Sequence, residues 1–478
     1  MAKGLFVSFP RYRPSVLFAG PQQLSPCIRW QSTASSQWPI RPNTPSDDLA
    51  VASPHSKPHD VPVSPLARLP TSSILRSLFL GIFFTSPLLF KPGLAVFQTI
   101  ANSQSQWLHP DKNPLLRAAI RPIIYEQFCA GRDGAEIHKT SQTIKSLGFS
   151  GVVLCYGKEV VLDPKTMSHG HEGKNTAMNA EIDQWRNGNL ETLAMMGKGD
   201  WLGIKFTGAG VNLTNILAEG GKAPPKFTEA MDVICDRAAS QGCRIWIDAE
   251  QQITQHAIDQ WTFDLMRRYN KGEQALVYST VQAYLKSSRE KVQHQLQLAS
   301  DEGWRSGIKL VRGAYISYDL REKIHDTKAE TDKSYNSIVE DLLRGTSFPV
   351  FSTNPELKHD LLLAGHNTET VRGAARLATA LAASSQLRVV PDFAQLQGMA
   401  DDIGCELLQI GEDAAKTGTT ATVPFVPKVY KCLTWGTIQE CMQYLTRRLV
   451  ENRGAADRMK EGAALLRKEL WRRMFRLN

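Results

Sequence analysis

Gly307-Ile308-Lys309-Leu310-Val311-Arg312-Gly313-Ala314-Tyr315 opens as a buried strand and closes on charge and bare backbone. Ile308, Leu310 and Val311 supply the apolar, partly β-branched run that a strand requires. Arg312-Gly313-Ala314 then sets a guanidinium beside a residue without a Cβ, which suits close approach of an anion, phosphate above all. An edge arginine beside a turn glycine is the competing explanation. Seven further runs read in the same way, over residues 151–156, 201–206, 244–250, 276–282, 361–367, 389–395 and, only in part, 422–435. Amphipathic segments separate them, for example 226–241, 257–268, 288–302 and 333–344. Eight buried strands alternating with helices place the chain in the α/β class. Its sheet is parallel and most simply closes as an eight-stranded β/α barrel of the TIM type, with a doubly wound open sheet as the competitor.

Polar residues sit at nearly every strand end: Lys205, Asp248 with Glu250, Gln282, Arg312 with Tyr315, His366 with Asn367, and Gln395. In a barrel these ends share one mouth, where catalysis sits. Asp248 and Glu250 are two residues apart and share a face. They suit an acid–base pair, or carboxylates that orient arginines; the second role is preferred for Asp248.

Those arginines lie near the other end of the chain, in Tyr444-Leu445-Thr446-Arg447-Arg448-Leu449-Val450-Glu451-Asn452. The segment reads as helix, with Tyr444, Arg447, Arg448 and Glu451 at i, i+3, i+4 and i+7 on one face. Two adjacent guanidiniums beside a tyrosine and a carboxylate form a fork suited to a substrate carboxylate. A solvated basic face with an internal ion pair is the bland alternative.

Other chemistries find less support. The chain contains no GxxxxGK[ST], and Gly208-Ala209-Gly210 lacks the third glycine of a dinucleotide fingerprint. His169-Gly170-His171-Glu172 falls in a loop-like stretch without a third metal ligand at useful spacing, so no metal site is expected. Eight scattered cysteines without a CxxC pair read as reduced, mostly buried thiols. The net charge of +9 is concentrated at the two ends, one resembling a targeting segment and the other a helix face, so a nucleic-acid partner is not expected.

Residues 1–65 lack an acid until Asp47 and are rich in Ser, Pro, Arg and Gln, the composition of a mitochondrial transit peptide followed by a disordered linker. Residues 66–119 form a helical arm. Its apolar run over 73–89 is interrupted by Arg76 and Pro87 and falls short of the roughly 20 residues that a bilayer span needs, so a packing or interfacial helix is expected. Residues 120–478 hold the barrel.

The ordered series GIKFTG, IDAE, VQAYLK, KLVRGAY, GHN, FAQLQGM and YLTRRLVEN resembles the proline dehydrogenase family, and above all its fungal mitochondrial form, over about residues 120–458. The resemblance implies a distorted β/α barrel that binds FAD non-covalently. It implies oxidation of L-proline to 1-pyrroline-5-carboxylate by hydride transfer from C5 to flavin N5. Electrons would pass to a quinone of the inner mitochondrial membrane, with peripheral contact between enzyme and membrane. By the same resemblance Arg447, Arg448 and Lys205 bind the proline carboxylate, Glu451 and Asp248 orient them, and Tyr444 lies beside the substrate. Gln282, Lys309, Arg312, Gly313, Ala314, Tyr315, His366 and Asn367 surround the FAD. The chain departs from the family at Cys432, where a tyrosine usually packs over the substrate, with Trp435 a candidate to fill the gap. Gly365 stands where threonine is common. Cys432 leaves open a paralogue that oxidises hydroxyproline or another cyclic imino acid; an inactive flavin-binding barrel is the third reading.

Overall fold

A computed structural model describes residues 64–156, 174–416, 424–451 and 455–475, apart from single positions within these ranges and the side chains of 447–461. Nearly all of the 1–65 segment, the stretch holding His169, His171 and Glu172, and the side chains of Arg447, Arg448 and Glu451 therefore lie outside the described residues.

Eight strands form a closed parallel barrel in sequence order: β1 Gly151–Cys155, β2 Trp201–Ile204, β3 Arg244–Ile247, β4 Val277–Gln282, β5 Ser306–Val311, β6 His359–Ala364, β7 Asp392–Leu396 and β8 Lys428–Thr434. Each pairs with the next, and β8 returns to β1 through Gly151↔Tyr430 to Cys155↔Thr434. The open-sheet alternative is thereby set aside. Every strand falls within its expected run or a few residues of it; the loosest, 422–435, shrinks to Lys428–Thr434.

Two long helices, α1 Thr71–Thr85 and α2 Pro87–Asn102, and short helical turns at Pro114–Ile120 and Glu126–Phe128 precede the barrel, and α3 Gly134–Ser146 leads into β1. One long helix then follows each strand: α4 Lys174–Ala194, α5 Pro225–Gln241, α6 Gln252–Tyr269, α7 Ser288–Glu302, α8 Lys328–Arg344, α9 Thr368–Ala383, α10 Asp401–Lys416 and α11 Ile438–Glu451. A last helix, α12, spans Ala455–Met474. The expected single helix over 73–89 is instead broken at Ser86, where Pro87 starts α2 and the chain turns by 104°. Proline suits the first helical turn because its missing N–H is unpaired there anyway.

The period of two along each strand decides what fills the barrel. Val153, Trp201, Trp246, Tyr278, Leu362, Ala394, Tyr430 and Cys432 form its interior cluster. The floor is aromatic. Trp201 lies 4.7 Å from Tyr278 and 5.8 Å from Tyr430, centroid to centroid, and the Arg244 guanidinium stacks 3.9 Å from its ring. Arg244 also donates to Asp392 and to the Tyr430 hydroxyl, both at 2.6 Å, so this buried cation is paired on two sides. Above it, Gly203 leaves room that a side chain would fill. A Cβ there would sit 2.5 Å from Cys155 Sγ and 2.6 Å from Trp246 Nε1.

The same period corrects one expectation. Asp392 and Ala394 point inward, so Gln395 points outward. It lies near Gly404 of α10 beside Lys431, whose buried ammonium donates to Asp401 at 2.7 Å. Gln395 is not a mouth residue.

The arm is not a separate body. Ala101, Ile120, Tyr125 and Cys129 share a core with Ile438, Cys441 and Met442 of α11. Gln439 and Gln443 of α11 donate to the Ala101 carbonyl at 3.3 and 3.0 Å, and Gln439 donates to that of Ser103 at 2.9 Å. At the other end, Arg473 donates to Thr71 Oγ1 and to the carbonyls of Leu66, Ala67 and Leu69, clasping α12 to the start of α1.

Candidate active site

At the C-terminal ends of β2, β3 and β5, three inward positions meet. Asp248 accepts from Lys309 Nζ at 2.6 Å and lies 3.6 Å from Lys205 Nζ. Lys205 in turn donates to the Tyr315 hydroxyl at 2.9 Å. Lys309 is buried, and its ammonium lies 3.7 Å from the Trp246 ring centroid, so a carboxylate and a π-face share the work of compensating it. Asp248 thus fixes two lysines at once. Lys309 belongs to β5 and Lys205 directly follows β2, so the sheet holds both more rigidly than a loop would.

Glu250, two residues on, has different partners. It accepts from the Thr207 backbone N–H at 3.2 Å and from the Thr207 hydroxyl, and it is buried. This ties the end of β3 to the turn after β2. The two carboxylates have separate partners: Asp248 holds the two lysines, and Glu250 holds Thr207 in the turn after β2.

The ends of β4, β5 and β6 form the second half of the mouth. Gln282 is buried, and its Oε1 accepts from Ala314 N–H at 3.1 Å, holding the Arg312-Gly313-Ala314 turn against β4. Gly313 has φ of 147°, and a Cβ on it would meet the Tyr284 ring at 2.3 Å, so the turn demands glycine. Arg312 donates to Asp332 at 2.9 Å and to Thr370 Oγ1 at 2.7 Å, and stacks 4.8 Å from the Tyr335 ring. A bare phosphate was one expected partner for Arg312; Asp332 and Thr370 already orient it. No motif in the sequence singles out these two residues, which reach the site from α8 and α9 by packing alone.

His366 Nε2 accepts from Leu396 N–H at 2.9 Å, so the neutral ring carries its proton on Nδ1. Asn367 caps α9 by accepting from Thr370 N–H at 2.9 Å. An asparagine that ends a strand and caps a helix has a structural role before any ligand is considered.

Tyr444 lies part-buried on α11, the helix that also carries Arg447, Arg448 and Glu451. Trp435, after β8, has its indole N–H bonded to Thr192 of α4 at 3.1 Å and its ring 6.2 Å from Tyr156. It is therefore engaged with α4. Cys432 points into the barrel beside Cys155. The hydrogen bond from that neighbour, together with burial, pushes the Cys155 thiol well above its ordinary range and keeps it uncharged. All seven cysteines of the described residues are free and six are buried, as expected of reduced thiols.

Among the described residues no group of side chains could hold a metal ion. Amide, ammonium, guanidinium and imidazole N–H donors line one half of the mouth: Gln282, Lys309, Arg312 and His366. That donor set fits a cofactor with phosphates and ring carbonyls.

A family profile described as proline dehydrogenase matches residues 137–461. Over 259 residues the chain is 38% identical to "Probable proline dehydrogenase, mitochondrial" of Schizosaccharomyces pombe, covering 52% of this chain and 50% of that one. It is 31% identical over 330 residues to "Proline dehydrogenase 1, mitochondrial" of Homo sapiens, covering 62% and 50%. It is 27% identical over 404 residues to "Hydroxyproline dehydrogenase" of Rattus norvegicus, covering 75% and 83%. The chain thus spans about half the length of the first two of these relatives. Among solved structures, proline utilization A from Bdellovibrio bacteriovorus, inactivated by N-propargylglycine, superposes with a TM-score of 0.53 at 17% identity, over 80% of this chain and 38% of that one. That likeness concerns the fold.

Proposed function

The chain belongs to the proline dehydrogenase family, and from that premise we propose that it oxidises L-proline to 1-pyrroline-5-carboxylate in mitochondria. The observation that carries this reading is the Lys205–Asp248–Lys309 group at the barrel mouth, with Tyr315 on Lys205. It supplies an oriented cation beside the ends of strands that a cofactor would cover.

Bound FAD supplies the hydride acceptor for the C5–H bond of proline. Gln282, Lys309, Arg312, the Gly313-Ala314 backbone, Tyr315, His366 and Asn367 are the residues that would hold it. In this reading Arg447 and Arg448 on α11 grip the substrate carboxylate from above, with Lys205 as the third cation from below. Glu451 and Asp248 keep those cations in place, and Tyr444 packs against the ring. Hydride transfer depends on positioning more than on proton transfer, so fixed anion clamps and an excluded-water mouth suffice. The electrons then leave to a quinone, which places the enzyme at the inner mitochondrial membrane, in the matrix or bound to the membrane surface. Residues 1–65 serve as the targeting segment, 66–119 as a helical arm and 120–478 as the catalytic barrel.

The test is the absorption spectrum of the folded, purified chain, followed by anaerobic addition of proline. Flavin bands that bleach with proline support the reading. Folded protein without flavin overturns it.

A second reading rests on Cys432. It is 9% exposed and offers a small thiol inside the barrel where the family carries a tyrosine. Space above the substrate would admit a ring hydroxyl, favouring hydroxyproline. Turnover of the two substrates by wild type and Cys432→Tyr decides between them: if hydroxyproline is preferred, the variant shifts preference toward proline.

A further inference from the structure

Exposed apolar side chains are concentrated on three helices that pack against one another. On α1, Leu75, Phe79 and Ile82 are 50%, 54% and 66% exposed at i, i+4 and i+7, which makes them one stripe. On α2, Leu88 is 86% exposed; Trp471 of α12 and Phe475, just past its last residue, are 57% and 55% exposed and stack at 4.9 Å. The helices are neighbours. The Phe83 ring of α1 lies on Gly93 of α2, and Arg473 of α12 is bonded to Thr71 of α1. Large apolar surface on neighbouring elements marks a contact site.

The charge of these helices is mainly basic: Arg76 is paired with Glu126 at 3.0 Å, while Lys91 is exposed. Residues 71–102 contain Arg76 and Lys91 and no acid. Within 462–475 the only acid is Glu469, which is buried and bonded to Arg472 and Arg473, while Arg467 and Lys468 are exposed. A second copy docked by the same face would bring like charges together. A layer of anionic headgroups over acyl chains matches both the apolar stripe and the basic surround. Length argues for lying on the layer. α1 has 15 residues and α2 has 16, about 22 and 24 Å of helix, against a hydrocarbon core of about 30 Å.

We propose that the outward faces of α1, α2 and α12 together form a docking surface for an anionic lipid bilayer. The assignment rests on the reading that electrons leave to a lipid-soluble acceptor, and it gives that reading a place on the molecule. It also puts the lipid contact one helix away from the substrate clamp, because α2 is bonded to α11 through Gln439 and Gln443.

The test uses the full chain and co-sedimentation with vesicles of phosphatidylcholine, with and without one-fifth cardiolipin. Wild type should sediment with the cardiolipin vesicles and release in high salt. Phe79→Glu with Ile82→Glu should weaken that partitioning by at least ~10-fold. Trp471→Glu, on a different helix, should act in the same direction. Proline turnover with a water-soluble dye acceptor should be unchanged in all variants, which also shows that they fold. Wild type left in the supernatant, or variants that sediment like wild type, would overturn the lipid surface. So would a stable dimer in sedimentation velocity that the glutamate variants dissociate. Absence of dye-coupled turnover in wild type would overturn the dehydrogenase reading and leave the vesicle result standing.

Discussion

Gly203 sets the width of the barrel above its aromatic floor. A methyl group there would press on Cys155 Sγ and Trp246 Nε1, both within 2.6 Å and both held by neighbouring strands. Gly203→Ala should cost roughly 1–3 kcal/mol of stability through overpacking, read as a lowered midpoint of urea unfolding. It should also move Trp246, and with it Lys309, so activity should fall alongside stability. His359 gives a pH signature at the opposite end. Burial holds its imidazole near pH 4 against the pull of the Leu342 carbonyl, and Arg388 and Arg305 push the same way. As pH falls from 6.5 toward 4 the unfolded chain takes up a proton that the folded chain refuses, so stability drops by roughly 3 kcal/mol. His359→Asn should flatten that part of the acid limb in unfolding curves recorded between pH 7 and 4. On α11, Arg448→Met should raise the proline KM at least ~100-fold, because it removes a charge-assisted contact of roughly 2–5 kcal/mol. An unchanged KM would mean that the fork faces solvent.

At the scale of elements, α9 provides the most direct test of dual use. Asn367 caps it and is also a proposed cofactor contact. Asn367→Ala should lower stability by about 1 kcal/mol, and Asn367→Asp, which keeps the cap, should not. If cofactor affinity falls in both variants, the amide itself contacts the cofactor; if only in the alanine variant, the cap is what matters. The elements were largely legible in the sequence because each strand is a short apolar run and each helix an amphipathic one. The side-chain direction within a strand was less so. Lys205, Asp248, Gln282 and Lys309 face the mouth as expected, while Gln395 faces α10, since a single residue of phase reverses the side. The partners of Arg312 were not legible at all, because Asp332 and Thr370 become neighbours only when α8 and α9 pack on the barrel. The break at Ser86 was signalled by Pro87 but hidden by the continuous apolar run around it.

At the scale of the whole molecule, the two ends of the described chain hold each other. Glu469 anchors the clasp. Burial raises its carboxyl, but hydrogen bonds from Arg472 and Arg473 outweigh that and bring it down to about 2. Its contribution is therefore complete above the ordinary carboxylate range and disappears as pH falls toward 2. Glu469→Gln should lower the thermal midpoint at pH 7, and the gap between variant and wild type should close as pH approaches 2. Hydrogen exchange should show α1 and α12 losing protection together in the variant, ahead of the barrel strands.

The bonds from Gln439 and Gln443 to Ala101 span 338 and 342 residues of sequence. During synthesis α1 and α2 are made first, and the helices that cover their inner faces are made last. At ~5–20 residues per second the wait is roughly 20–70 s. Throughout it, Leu75, Phe79 and Ile82 are joined by the still-uncovered Ile74 and Leu80, which the finished fold buries. The nascent arm thus exposes this apolar surface until the chain is nearly complete, and its aggregation should respond to the rate of translation more than to the stability of the finished barrel.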